Sequence, residues 1–189
     1  MIQVVRLFSS VFIALTILTL GALAHIPVIV KNKSSKENPV LVTKPEISYA
    51  YYGELAGEPH YYKIEAPRPF HLYVNILVPD FAPQSPPVSS HNMSFEILRD
   101  SVGLFTKEGP SAEWTRFYEK YGRDHYYMGP EFENDMGKGT YYIRVYNPNN
   151  TGRYALAIGK KENFTPISII SAFFKAWSLD KWFFKPPRR

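Results

Sequence analysis

Apolar and polar residues alternate along most of the chain between residues 47 and 159. The clearest run covers residues 70–78, where Phe, Leu, Val, Ile and Val occupy every second position. A period of two is typical of a strand that buries one face. Further alternating runs predict strands over residues 61–66, 93–98, 140–146 and 153–158.

Turn-forming residues separate these runs. Gly57 and Pro59 break the chain before the second strand, and Pro67 and Pro69 break it before the third. Residues 147–152 (NPNNTG) predict a hairpin loop, because these residue types tolerate turn dihedrals. Short strands with one apolar face each need a second sheet to cover that face. The pattern therefore predicts an all-β fold, an antiparallel β-sandwich over residues 47–163.

An apolar run extends from Leu7 to Val30, preceded by Arg6. Residues 1–30 fit two interpretations. The small residues Ala22 and Ala24 suit cleavage of a signal peptide before His25. The length of 24 residues suits a retained membrane anchor, since about 20 residues span a bilayer.

Two features of the sequence conflict over the side of the membrane on which the domain lies. Lys31, Lys33 and Lys36 follow the apolar run, and the positive-inside rule favours the cytoplasm for them. The position of the run at the start of the chain favours export instead. We expect an exported, extracytoplasmic domain associated with the cell membrane.

Two segments flank the alternating region. Residues 31–46 are rich in Lys, Ser, Asn and Pro and predict a linker in which residues 40–42 could form a short strand. Residues 164–189 predict an amphipathic basic helix and tail, with Pro166 near the start of the helix. The side chains expected to contact a membrane are Phe173, Phe174, Trp177, Lys181, Trp182, Phe183 and Lys185. The alternatives are a helix packed on the domain's own sheet and a helix docked on a partner.

Composition narrows the classes of function. The absence of cysteine excludes disulfides, thiolate metal sites and cysteine nucleophiles. The net charge of +5 lies largely near the two ends, which favours an anionic lipid surface over nucleic acid. Fourteen Tyr and 13 Phe favour β structure.

Residues 113–136 combine aromatic and acidic side chains and hold the candidate ligand sites. A glycan could stack on exposed rings there, and the candidate rings are Trp114, Tyr118, Tyr121, Tyr126 and Tyr127. Ca²⁺ binds six to eight oxygen ligands, and Glu119, Asp124 and Glu131 could supply some of them. The alternative for both sets is structural, with rings in the core and carboxylates in water. No cofactor is required by the sequence.

Catalytic signatures are weak. The five His are scattered without metal-ligand spacing, and no Gly-x-Ser-x-Gly elbow occurs. Glu119 and Glu131 could form a glycosidase pair if they lay about 5 Å apart. A hydrolase is therefore kept as a third hypothesis, and the prediction is a chain that is not an enzyme.

Two tyrosine-rich segments resemble a known family. Residues 57–64 (GEPHYYKI) and the run over 70–78 are similar to the opening of bacterial pre-peptidase C-terminal (PPC-like) domains. Residues 139–146 (GTYYIRVY) and 152–156 (GRYAL) are similar to the closing hairpin of that family. Segments of this kind, with a stretch like residues 114–131, also resemble uncharacterised prokaryotic membrane-tethered proteins. The resemblance implies a secreted jelly-roll-like sandwich without catalytic residues of its own.

The leading hypothesis is a non-catalytic β-sandwich that binds or scaffolds a protein partner at the cell membrane. A carbohydrate-binding module that uses the aromatic residues of 113–136 is the alternative.

Overall fold

The computed structural model describes residues 25–30, 34–85, 91–119, 123–162, 178–179 and 182–185. The predictions made for residues 1–24, Tyr121, Phe173, Phe174, Trp177 and Lys181 lie outside these residues.

Two β-sheets form the fold. The six-stranded sheet has the order β1 (Ile26–Ile29), β3 (Tyr49–Ala56), β11 (Thr151–Ile158), β5 (Phe70–Pro79), β9 (Asp124–Met136), β8 (Thr115–Glu119). The five-stranded sheet has the order β2 (Val40–Leu41), β4 (His60–Ala66), β10 (Gly139–Tyr146), β6 (Ser94–Arg99), β7 (Val102–Lys107). The all-β prediction and the strands predicted by alternation are confirmed.

Alternate side chains of both sheets meet in one core. Leu72, Val74 and Ile76 of β5 have 0 % exposure, and so do Ile143 and Val145 of β10. Each side chain of this kind contributes about 1.5–3 kcal/mol when it leaves water. The apolar residues at every second position of the sequence therefore form the inward face of each sheet.

The sheets are mixed, which corrects the prediction of an antiparallel sandwich. β1 pairs with β3 in parallel, and β2 pairs with β4 in parallel. The reason is the path of the chain, which leaves β1 in one sheet, adds β2 to the edge of the other sheet, and then returns as β3. Each early strand thus lies beside a later strand that runs in the same direction.

The sheets also begin before residue 47, where the sequence placed the domain boundary. Ile26–Ile29 is a strand of the six-stranded sheet, although residues 1–30 were assigned to a leader. Val40–Leu41 forms the short strand that was considered within the linker. Ser34 bonds to the backbone N–H of Tyr61 at 3.0 Å, and Val42 is 2 % exposed. The described residues of the segment 31–46 are therefore packed on the sandwich.

The stretch 113–136, for which alternation predicted no strand, contains all of β8 and β9. Tyr126 and Tyr127 are adjacent and both buried, at 4 % and 2 % exposure. Tyr127 belongs to the core between the sheets, whereas Tyr126 packs with the C-terminal residues on the outer face. Burial on both faces removes the alternation that would reveal a strand.

Hydroxyl groups bridge the two sheets inside the core. The hydroxyl of Tyr154 on β11 lies 2.8 Å from that of Tyr62 on β4 and 2.7 Å from Nδ1 of His60. Tyr62 and Tyr154 are fully buried, which raises the pKa of both phenols. A Cβ at Gly53 would stand 2.7 Å from the Tyr154 hydroxyl, so glycine leaves the room for this bridge.

The bridge gives the first test of the fold. Tyr154→Phe removes one hydroxyl, so the buried polar atoms of Tyr62 and His60 lose a hydrogen-bond partner. The free energy of unfolding should fall by about 1–3 kcal/mol, measured by urea denaturation. Tyr142→Phe, on the half-exposed outer face of β10, should change it by less than about 0.5 kcal/mol. Equal losses in the two variants would contradict a role for the bridge.

Candidate functional site

The chain enters and leaves the sandwich beside Ser48. The N–H of Ile26 donates to the Ser48 carbonyl at 2.8 Å, and the N–H of Ser48 donates to the Lys161 carbonyl at 2.9 Å. The cause is the position of β3, because Tyr49 pairs with Ile26 on one side and with Ile158 on the other. Residues 1–24 and the residues after 162 are therefore attached to the same end of the domain. We call this the lower end and the opposite one the upper end.

His25 is the first described residue at the lower end. Its Nδ1 lies 2.5 Å from the Ser48 hydroxyl oxygen. Burial lowers the pKa of His25 from 6.5 to about 4. The imidazole is therefore neutral at physiological pH, and its hydrogen bond joins the segment before β1 to the segment before β3.

This burial makes the fold sensitive to acid. Between pH 6.5 and about 4 the unfolded chain binds a proton at His25 that the folded chain does not, so stability falls as the pH falls through this window. His25→Gln has no such proton, and the loss of unfolding free energy between about pH 7 and pH 5 should become smaller. Urea denaturation of both proteins at both pH values measures the difference. Burial also lowers the pKa of His60 and His91, and their contribution is common to both proteins. An unchanged pH dependence would contradict burial of His25.

Exposed apolar side chains are concentrated on one lateral side of the sandwich. β7 and β8 are edge strands of their sheets, and they lie on the same side because Phe105 of β7 stacks on Phe132 of β9 at 4.7 Å between ring centroids. Six of the eight large apolar residues that are exposed in the described part of the chain lie on β7, β8 and β9. They are Val102, Leu104, Phe105, Phe117, Tyr118 and Met128. We call this surface the open side.

The C-terminal residues cover an apolar patch on the outer face of the six-stranded sheet. Phe183 is 0 % exposed, and its ring lies 4.9 Å from that of Tyr52 and 6.4 Å from that of Tyr126. Ala155 and Leu179 complete the buried cluster. The described part of the C-terminal segment thus packs on the domain's own sheet, which was one of the alternatives for it.

Arg153 holds this segment in place. Its Nη1 donates to the carbonyl of Phe183 at 3.4 Å and also to the carbonyl of Lys185. Its guanidinium lies 5.9 Å from the ring centroid of Trp182, and its Nε lies 3.3 Å from a Glu54 carboxylate oxygen. Of the residues expected to contact a membrane, Phe183 is buried against protein, Trp182 is half-buried and Lys185 is exposed.

The candidate glycan-stacking residues do not form one open surface. Trp114 is 7 % exposed, and its Nε1 donates to the Gly109 carbonyl at 2.8 Å. Tyr127 is in the core between the sheets, and Tyr126 lies under the C-terminal residues. Tyr118 alone among these four described rings is exposed, at 47 %. Most of the set fills core positions, as the structural alternative holds.

The candidate calcium ligands are also separated. Glu119 and Asp124 pair across β8 and β9 at the upper end. Glu131 lies opposite Asn75, farther down β9. Glu131 lies seven positions beyond Asp124 along β9, a length of about 23 Å. Across the part of the chain that the structure describes, no three His, Asp or Glu side chains are grouped so that they could hold a metal ion.

One charged cluster was missed by sequence reasoning. The exposed imidazole of His71 lies 2.7 Å from an Asp135 oxygen and 2.9 Å from a Glu133 oxygen. The two carboxylates raise the pKa of His71, with Asp135 contributing most. Sequence reasoning could not find this cluster, because the cluster depends on the pairing of β5 with β9 and alternation alone does not reveal that pairing.

The comparisons with known proteins identify no family. Neither the protein-family models nor the curated proteins include a match. Among solved structures, the chain is similar to the pre-peptidase C-terminal domain of a collagenase from Bacillus anthracis. The identity is 11 %, the likeness covers 69 % of this chain and 98 % of that domain, and the TM-score is 0.39.

Within the described residues, no helix has the length and the hydropathy needed to cross a bilayer.

The packing of the C-terminal segment gives a further prediction. Phe183→Ser removes the ring from the patch, and truncating a ring at such a position costs about 3–5 kcal/mol. Hydrogen exchange at residues 178, 179 and 182–185 should become fast, including the amide of residue 183, which bonds to the Leu179 carbonyl at 2.8 Å. Leu104→Ser, at a side chain 41 % exposed on β7, is the control and should leave this exchange slow. Slow exchange in both variants would contradict the packing of Phe183 on the six-stranded sheet.

Proposed function

We propose that this chain is a non-catalytic β-sandwich domain that is tethered to the cell membrane outside the cytoplasm and binds a protein partner. The observation that carries the proposal is the shared lower end. An apolar N-terminal run and an amphipathic C-terminal sequence both continue from residues that bond to Ser48. Two segments with affinity for lipid, both attached at the lower end, hold that end of a compact domain toward the membrane surface.

The open side supports the binding of a protein. An edge strand presents unpaired backbone N–H and C=O groups, which can pair with a strand of another protein. Exposed apolar side chains grouped in one area are typical of protein interaction sites. The open side combines both features, since β7 and β8 are edges and carry exposed apolar side chains. We infer that its occupant is an extended segment of a protein partner.

The buried polar side chains favour a structural role over catalysis. His60, Tyr62 and Tyr154 bond to one another inside the core. Asp80 accepts a hydrogen bond from Arg116 at 2.8 Å and another from the Ala82 N–H at 3.0 Å. These groups hold sheets and loops together.

The test for the partner uses site-specific photo-crosslinking in native membranes. A photoreactive residue at position 118 should yield one defined crosslinked product. Phe117→Asp places a charge on the open side and should lower that yield by about tenfold, as expected for a residue central to an interface.

The matched control is Leu41→Asp on β2, at the other lateral side of the sandwich. Leu41 is 64 % exposed, so this change adds the same charge at an apolar surface residue outside the open side. The yield should stay at the wild-type level. Absence of any defined product, or equal loss in both variants, would contradict partner binding at the open side.

A further inference from the structure

Five turns meet at the lower end of the sandwich. They join β2 to β3, β4 to β5, β6 to β7 and β9 to β10, and the fifth follows β11. The strand registers place them together, because Ala66 pairs with Gly139, Phe70 with Met136 and Tyr141 with Arg99. Residues far apart in the sequence therefore form one surface around the attachment of the leader.

The lower turns carry more cations than anions, and the upper connections carry more anions than cations. The cations of the lower turns are Lys44, Arg68, Lys138, Lys160 and Lys161, and the anions are Glu46, Asp100 and Glu162. In the upper connections, the described charges are Glu37, Glu58, Asp80, Glu108 and Glu113 against Lys36 and Arg123. Strand ends beside the lower turns add Arg99, Glu65 and Asp135. The domain thus carries a charge asymmetry along the direction in which the leader is attached.

Part of the positive charge at the lower end is paired within the domain. Lys161 lies 2.7 Å from a Glu46 oxygen, and Lys160 lies 2.5 Å from a Glu133 oxygen. Lys44, Arg68 and Lys138 are exposed and form no ion pair within the part of the chain that the structure describes, although the charge of Arg68 helps to lower the pKa of Glu46. These three cations point to a negatively charged binding partner outside the domain.

We propose that the lower end binds the anionic headgroups of the membrane to which the domain is tethered. This inference rests on the proposed tether and adds the chemistry of the lipid. Lysine and arginine near an anionic leaflet each gain favourable energy, and the gain falls within a Debye length of the surface. The acidic upper turns are repelled by the same leaflet. Both effects orient the sandwich with its lower end on the membrane and its open side accessible from the flank.

The absence of cysteine allows a direct measurement on the full chain. Single cysteines at Gly137, in a lower turn, and at Asn149, in an upper turn, each carry a fluorophore. Both positions are exposed, and a side chain at Gly137 meets no atom closer than 3.9 Å. The chain is reconstituted into vesicles that contain nitroxide-labelled lipid. One set of vesicles is phosphatidylcholine, and the other contains equal parts of phosphatidylcholine and phosphatidylglycerol.

In the phosphatidylglycerol vesicles, the label at position 137 should be quenched and the label at position 149 should not. Raising the ionic strength from about 0.1 M to about 1 M shortens the Debye length from about 10 Å to about 3 Å and should reverse the quenching. The double variant Arg68→Glu/Lys138→Glu should lose it at low salt. Lys107→Glu/Arg123→Glu changes the net charge equally, away from the lower end, and should keep it.

Equal quenching at position 137 in both kinds of vesicle would overturn the inference, and so would quenching that survives Arg68→Glu/Lys138→Glu. Flotation of the same vesicles separates the two proposals. A chain that does not float with either kind of vesicle contradicts the tether itself. A chain that floats with both but shows no lipid-dependent quenching contradicts the headgroup contact alone.

Discussion

The pairing of β3 on both of its edges is the constraint on which the arrangement of this molecule depends. One edge accepts β1 in parallel and the other accepts β11 antiparallel, so Tyr49 lies between the first strand and the last. Hydrogen bonds at Ser48 then hold His25 and Lys161 at the same end. Without this pairing, the leader could be attached anywhere along the edge, and the domain would have no defined orientation toward a membrane.

The two halves of the outer face of the six-stranded sheet differ in polarity. Its half near the upper end is apolar and lies under Leu179 and Phe183, while its half near the lower end is charged around His71. Because Phe183 is buried on this face, its ring contacts the domain and not lipid. The aromatic residues of 164–177 are the part of that sequence left for lipid in the proposed function. Arg153 holds Phe183 and Lys185 on the sheet.

Much of the fold followed from local pattern. Alternation identified β4, β5, β6, β10 and β11, because each has a face turned to the core and another turned away from it. It missed β8 and β9, since Tyr126 and Tyr127 are buried on opposite faces and β8 is exposed at four of its five positions. It also missed β1, because Ile26–Ile29 lies inside a longer apolar run that reads as a leader.

The candidate sites were less predictable because they depend on which strands are neighbours. Rings close together in the sequence, such as Trp114 and Tyr118, separate into core and surface. The exposed side chains of β7 and β8 come from different sheets and lie on one side of the sandwich because Phe105 of β7 packs on Phe132 of β9. The cations of the lower end come from turns spread between residues 44 and 161. No local motif encodes surfaces of this kind.

Residues 26–30 decide whether the leader is attached at the lower end, and amide hydrogen exchange measures their pairing directly. The N–H of Ile26 bonds to the Ser48 carbonyl at 2.8 Å, and the N–H of Val30 bonds to the Tyr52 carbonyl at 2.9 Å. We expect both amides to be protected to nearly the same extent as the amides of β3. Exchange at the rate of an unstructured peptide would show that β1 is not part of the sheet and would remove the basis for a fixed orientation.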